Sequence, residues 1–174
     1  DAHDAIWKHA NDTVKLGKEV GGVLLGQVYK DVQGPYLEVT GSIVAEHAQN
    51  EGTQMTFTFE TWEHINSVKE SKHGKERIVG WYHTHPRFGI FLSEQDTFIQ
   101  NGFFYHPWQT AFVLDPVQEC EGFFIWRKGK PVLAETYFVG EERRGRENAE
   151  PKAEGDDVVD ADFEEVKDDK KKAG

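Results

Sequence analysis

The chain carries very little sulfur: one cysteine, Cys120, and one methionine, Met55, in 174 residues. A lone cysteine leaves no partner for an internal disulfide and excludes a Cys-rich zinc module. It points to a reducing compartment, so the cytoplasm is the expected location. Long apolar runs are missing too. No stretch approaches the roughly 18–20 apolar residues of a membrane-spanning helix. The opening Asp1-Ala2-His3 offers neither the basic nor the apolar region of a signal peptide. Basic residues are scarce: 20 Lys and Arg stand against 31 Asp and Glu, a formal net charge of −11. That excess of acid argues against nucleic acid or an anionic membrane as the main partner. No internal repeat is visible.

What remains fits one domain with a modest core. Hydrophobic residues make up only 37% of the chain, which implies a solvated segment. The C-terminal part supplies one. From Glu141 to Gly174 there are 13 acidic and 8 basic residues, and few apolar ones. Such a composition buries too little surface to offset chain entropy. The expected organisation is therefore a folded domain over 1–140 and an acidic, disordered tail over 141–174. Within that tail Val158, Val159, Phe163 and Val166 share a face if a short helix forms there.

Residues 1–140 alternate between two periodicities. Asp4 to Leu16, Glu60 to Ser71 and Ser93 to Asn101 read as helices. Val20 to Tyr29, Tyr36 to Ala45, Gln54 to Phe59, Arg77 to His83, Thr110 to Leu114, Gly122 to Arg127 and Val132 to Phe138 read as strands, most of them antiparallel neighbours. The fold class that follows is α+β, with helices packed on a curved, mostly antiparallel sheet.

The chemistry concentrates in Gly80-Trp81-Tyr82-His83-Thr84-His85-Pro86, followed by Ser93-Glu94-Gln95-Asp96. His83 and His85 lie two apart at a strand end, so both imidazoles point to one face. Pro86 ends the strand. Asp96 falls in the first turn of the next helix. Two imidazoles and a carboxylate with a fourth position left for water is the arrangement of a catalytic zinc site. Each signal also has an ordinary explanation. His-x-His occurs on many strands, and Ser93-x-x-Asp96 is equally an N-terminal capping box. Glu19, just before the first strand, reads either as a strand-edge carboxylate or as a base. His3 and His9 are expected on an exposed helix face, and His47 and His106 in loops. Cys120 reads as a small buried hydrophobe. The loop over residues 87–92 is apolar, and exposed Phe88 or Phe91 would suit a substrate tail.

Glu19, His83-Thr84-His85-Pro86, and Ser93-x-x-Asp96 seven residues further on together resemble the motif of the JAMM (MPN-plus) metalloproteases. Val79 to Tyr82, Val113 to Pro116 and the glycine-rich strand after Glu19 also look like that family, and the likeness covers residues 4–140. The resemblance implies an MPN-like fold and one Zn2+ per chain held by His83, His85 and Asp96. It implies Glu19 as general base and Ser93 as a hydrogen-bond donor beside the metal. The implied activity is a zinc isopeptidase or peptidase cutting after the C-terminal glycine of a ubiquitin-like protein. The implied partners are that protein or its conjugates, and an activating or conjugating enzyme of the same pathway. An amidase for small peptides or sulfur-carrier precursors, and a non-catalytic MPN scaffold, are the competing readings. Thr84 stands where many members have Ser. The short Ser71 to Glu76 connection departs from relatives that clamp ubiquitin with a longer insertion.

Overall fold

The computed structural model describes residues 1–32, 34–46, 48–51 and 54–151. His47 and the Val158–Val166 segment lie outside them. The centre of the fold is β1 (Gly21–Asp31), whose first six residues are all buried. Burial on both faces needs a layer on each side, and the two layers are different. One packs Val23, Leu25, Ile43, Trp81, Ile99, Phe104, Val113 and Phe124 with Ile65. It involves helices α2 (Phe59–Lys72) and α3 (Glu94–Phe103). The other packs Leu24, Val79, Tyr82, Phe112 and Leu114 against Ile6 and Ala10 of helix α1 (Ala2–Thr13). Neighbours on β1 thus serve opposite layers, as the two-residue period requires.

β2 (Gly34–Val44) pairs with one edge of β1. β3 (Gln49–Glu51) and β4 (Gln54–Thr56) make a separate two-stranded ribbon. β5 (Arg77–Thr84) pairs antiparallel with the other edge of β1. It is followed through α3 by β6 (Thr110–Asp115), which runs parallel to it. β7 (Cys120–Arg127) and β8 (Lys130–Leu133) complete the sheet in the order β2-β1-β5-β6-β7-β8. The sheet is therefore antiparallel except where the β5–α3–β6 crossover passes over it. A crossover is what parallel neighbours need, and here its helix covers the face that β5 and β6 bury.

Two expectations change. The strand expected over Val132 to Phe138 is two: β8 stops at Leu133 and β9 (Thr136–Val139) leaves the main sheet to pair with β10 (Glu142–Gly145). Regular structure also runs past residue 140, through β10 and a 3₁₀ turn over Arg146–Ala149. The physical reason is Glu121. This carboxylate is buried and accepts hydrogen bonds from Arg144 of β10 at 2.7 Å and Tyr137 of β9 at 2.9 Å. On its other side it meets His3 at 2.7 Å and the indole N–H of Trp7. A buried charge demands such partners, and they tie the charged segment to the domain. His3 is accordingly half-buried rather than exposed. So is His9, whose Nδ1 lies 3.0 Å from the Tyr82 hydroxyl. Cys120 is fully buried, and burial pushes its thiol up to about 11, so it is inert at neutral pH.

Candidate metal centre

β5 ends at Thr84, and His83 and His85 emerge from its C-terminal end onto the face covered by α2 and α3. Both are fully buried, with ring centroids 4.7 Å apart and Nε2 atoms 3.1 Å apart. Asp96 reaches them from the first turn of α3. Its Oδ1 lies 3.3 Å from His83 Nε2 and its Oδ2 3.3 Å from His85 Nε2. One carboxylate therefore does two jobs. Ser93 is the N-cap of α3: its hydroxyl oxygen accepts from the Asp96 N–H at 3.1 Å, and its own N–H donates to Asp96 Oδ2 at 2.7 Å. The carboxylate oxygen that closes the capping box is also the one that faces His85, so the capping box does not compete with a ligand role for Asp96. Oγ acts here as an acceptor, and the Ser93 hydroxyl keeps its O–H as a donor as well.

The arrangement fits a divalent cation on its own chemistry. His85 Nδ1 lies 3.3 Å from the Gly89 carbonyl oxygen, which can only accept, so Nδ1 carries the proton. Nε2 of that ring then faces Asp96, as does Nε2 of His83. Burial lowers the pKa of His83 and keeps it neutral, against the opposing influence of Asp96. For Asp96, burial alone would raise the pKa. Hydrogen bonds from His83, His85 and Ser93 outweigh it and hold the group well below the usual carboxylate range. Two imidazole nitrogens and a carboxylate, all within 4.8 Å of one another and buried, are the donor atoms a divalent cation takes. Metal binding requires such imidazole nitrogens to be deprotonated.

Glu19 stands beside this cluster. Its Oε1 is 3.8 Å from His85 Nε2, and its Oε2 accepts the Met55 N–H at 3.1 Å. Burial raises its pKa. The nearby His85 and the Met55 hydrogen bond pull the other way, and the Asp96 charge adds to the rise. The carboxylate is placed by the turn into β1, where Val20 N–H donates to Thr84 Oγ1 at 3.0 Å and Val20 O accepts from Thr84 N–H at 2.9 Å. Thr84 thus stitches the two strand ends that bring Glu19 to the histidines. Glu94, the other carboxylate near Ser93, is exposed.

One supporting residue escaped the sequence reading. Asp115, fully buried at the end of β6, accepts from the N–H groups of Arg87, Gly89, Val117 and Gln118 at 2.9–3.1 Å. It fixes the loop whose Gly89 carbonyl orients His85. Such outer partners set the tautomer and direction of a metal-binding histidine. Its signals in the sequence were its place at the end of a buried strand before Pro116 and the family likeness of Val113 to Pro116, neither of which gave it a role. Above this loop Phe88 and Phe91 are exposed, and the Phe91 ring centroid is 4.5 Å from that of His85. His106 takes no part: it stacks on Trp108, and among the described residues it joins no metal-ligating cluster.

Fold and site together define the class: an α+β domain with a curved sheet and a two-histidine, one-carboxylate centre at the end of a central strand. The chain belongs to the JAB1/Mov34/MPN/PAD-1 ubiquitin protease family, which matches residues 2–105. Among its relatives, the protein F37A4.5 of Caenorhabditis elegans is 34% identical over 124 residues, covering 66% of this chain and 35% of that protein. The ubiquitin carboxyl-terminal hydrolase RPN11 of Saccharomyces cerevisiae is 30% identical over 122 residues, 66% of this chain and 36% of that protein. COP9 signalosome complex subunit 5 of Yarrowia lipolytica is 36% identical over 104 residues, 56% of this chain and 27% of that protein. The chain thus spans about a third of the curated relatives it matches. No helix among the described residues is long and apolar enough to cross a membrane.

Proposed function

We propose that this protein is a zinc-dependent isopeptidase or peptidase that cleaves after the C-terminal glycine of a ubiquitin-like protein. The observation that carries the reading is Glu19: a buried carboxylate of raised pKa, 3.8 Å from a ligating nitrogen of His85, that the donor set itself does not need. A scaffold has no use for such a group. Membership of a family named for ubiquitin proteolysis, and relatives from the proteasome and signalosome, support the substrate class.

His83, His85 and Asp96 would hold the zinc. When bound, zinc lowers the pKa of a water from about 15.7 toward about 7 and polarises the scissile carbonyl. Glu19 would accept the proton of the attacking water and deliver it to the leaving amine; burial raises its pKa. Ser93, held as the N-cap of α3, would turn its O–H toward the carbonyl oxygen that gains charge. Gly89 and Asp115 keep His85 in the tautomer that leaves Nε2 unprotonated. Phe88 and Phe91 supply apolar contact for the substrate tail at the mouth of the site.

The test is cleavage of a panel of ubiquitin-like fusions and isopeptide conjugates, with and without a zinc chelator. Chelator-sensitive release of a ubiquitin-like protein ending in glycine is expected. Turnover of small peptides alone would move the substrate to the amidase reading. Stoichiometric zinc with no turnover of any substrate would favour a scaffold.

A further inference from the structure

The two histidines are held by different means. His85 has its Nδ1 on a backbone carbonyl. His83 Nδ1 is buried and has no hydrogen-bond partner among the described residues, so nothing at that nitrogen fixes the ring. An imidazole free to turn about its χ2 would present Nε2 to the cation only part of the time.

What holds the ring is an aromatic face. The indole of Trp81, two residues earlier on the same side of β5, lies parallel to the His83 imidazole, with centroids 4.3 Å apart and 11° between planes. The indole also lies parallel to the Phe104 ring, at 5.7 Å and 9°. Trp81 thus lies parallel to both rings, and of the two only His83 is in contact with Asp96. The indole cannot slide or flip in its slot, because its Nε1–H donates to Gln100 Oε1 at 2.7 Å. Gln100 is itself fully buried and locked, its Nε2–H donating to the Phe104 carbonyl at 3.0 Å. That carbonyl also accepts from Trp126 Nε1 at 3.1 Å. Every polar atom in the chain from Trp126 to Trp81 is paired. Such a fully connected buried network specifies one geometry.

We propose that Trp81 and Gln100 are positioning residues for His83: the Gln100 amide fixes the indole, and the indole face takes the place of the missing hydrogen bond in aiming His83 Nε2 at the metal. The inference rests on the reading of His83 as a ligand. It also explains why a glutamine sits fully buried on the core face of α3, four residues after the ligand Asp96. The helix that supplies the carboxylate supplies the brace for the histidine, so the two ligands are set by one rigid element.

The test is zinc affinity by chelator competition, together with the visible spectrum of the Co(II)-loaded full chain. The variants are Gln100→Met, Trp81→Phe and Trp81→Leu, with Ile65→Val as a control in the same core. Gln100→Met and Trp81→Leu should weaken zinc binding about 10- to 100-fold, as loss of outer-shell partners does, and should shift or broaden the Co(II) bands. Trp81→Phe keeps a ring face and should fall between these and the wild type. Ile65→Val should lower the melting temperature but leave both metal readouts unchanged, which separates positioning from stability. Wild-type zinc affinity and an unaltered Co(II) spectrum in Gln100→Met, on folded protein, would overturn the inference while the metal site stood. A wild-type chain that took up no metal would instead bring down the reading of the site, and this inference with it. Should Trp81→Leu fail to fold, Gln100→Met and Trp81→Phe still decide the matter.

Discussion

Gly21 lies directly opposite His83 in the β1–β5 ladder, and a Cβ on Gly21 would stand 2.2 Å from the carbonyl oxygen of Tyr82 and 3.1 Å from His83 Cα. The close approach of the two backbones is what carries Glu19, two residues before Gly21, to the edge of the metal centre. Tyr82 O is backbone and cannot step aside. Gly21→Ala should therefore destabilise the fold by about 1–3 kcal/mol, the usual cost of overpacking, and weaken zinc binding through displacement of His83. Denaturant unfolding and chelator competition on the same sample check both. An alanine variant of wild-type stability and zinc affinity would contradict this account of the ladder.

Truncation separates the two parts of the C-terminal segment. Ending the chain after residue 140 removes Arg144, the guanidinium that pairs with the buried Glu121 carboxylate at 2.7 Å. Breaking a buried pair in this way costs on the order of 3 kcal/mol, which for a chain of this size lowers the melting temperature by about 6–12 °C. Ending it after residue 151 keeps every contact described above, and the melting temperature should stay within about a degree of the full chain's, since changes away from such contacts have small effects. Differential scanning calorimetry of the two truncations decides the point.

The same carboxylate predicts an acid limb of stability. Glu121 faces His3 and Trp7 from α1, Tyr137 from β9, and Arg144 and Glu142 from β10. Burial by itself would raise its pKa. The hydrogen bonds from His3, Arg144 and Trp7 and the charge of His3 reverse that and bring it down to about 2, from an ordinary 4.5. A pKa depressed in the folded state contributes stability that is fully present above pH 4.5 and is lost as pH falls toward 2. The difference in unfolding free energy between wild type and Glu121→Gln should therefore shrink by on the order of 2–3 kcal/mol between pH 5 and pH 2. A pH-independent difference would contradict it.

The parts of this molecule that could be read from its sequence are those whose signal is local. His83 and His85 are two apart on a strand, and Ser93 and Asp96 three apart at a helix start, so period and capping alone place each pair. Glu19 is different. It is 64 residues from His83, no periodicity links them, and only the likeness to a known motif put it in the site. The parallel pairing of β5 with β6 was hidden because strand patterns carry no direction. The break between β8 and β9 was hidden because Val132, Val139 and the residues between them look like one continuous strand. β10 was missed for a stronger reason. Glu142-Arg143-Arg144-Gly145 has no apolar residue, and it is held by a long-range charge pair to Glu121 rather than by burial of an apolar face. Trp81 and Gln100 were visible as residues, but the stacking that gives them a role exists only in three dimensions.

Ser93 should behave as two residues in one. Ser93→Ala removes both the N-cap acceptor and the O–H donor. It should cost about 1 kcal/mol of stability from the lost cap and about 10²–10³-fold in turnover from the lost oxyanion donor. Ser93→Asp keeps an N-cap acceptor while still lacking the donor, so it should restore stability without restoring turnover. Recovery of activity in Ser93→Asp would show that the cap alone was needed. Unfolding curves beside fusion-cleavage rates distinguish the two roles.

The central claim is that the ligand set and the base are separate parts of one centre, and Glu19→Gln tests it most directly. Glu19 lies 3.8 Å from His85 Nε2 and is held by the Met55 N–H, outside the His83, His85 and Asp96 donor set. The measurement is zinc per chain by elemental analysis together with cleavage rate on a glycine-ended ubiquitin-like fusion, made on wild type, Glu19→Gln and His83→Ala. Wild type and Glu19→Gln should each hold one zinc, His83→Ala little or none, and Glu19→Gln should lose turnover by about 10²–10⁴-fold, the contribution of a positioned general base. A Glu19→Gln chain that kept its zinc and cleaved at the wild-type rate would contradict the account.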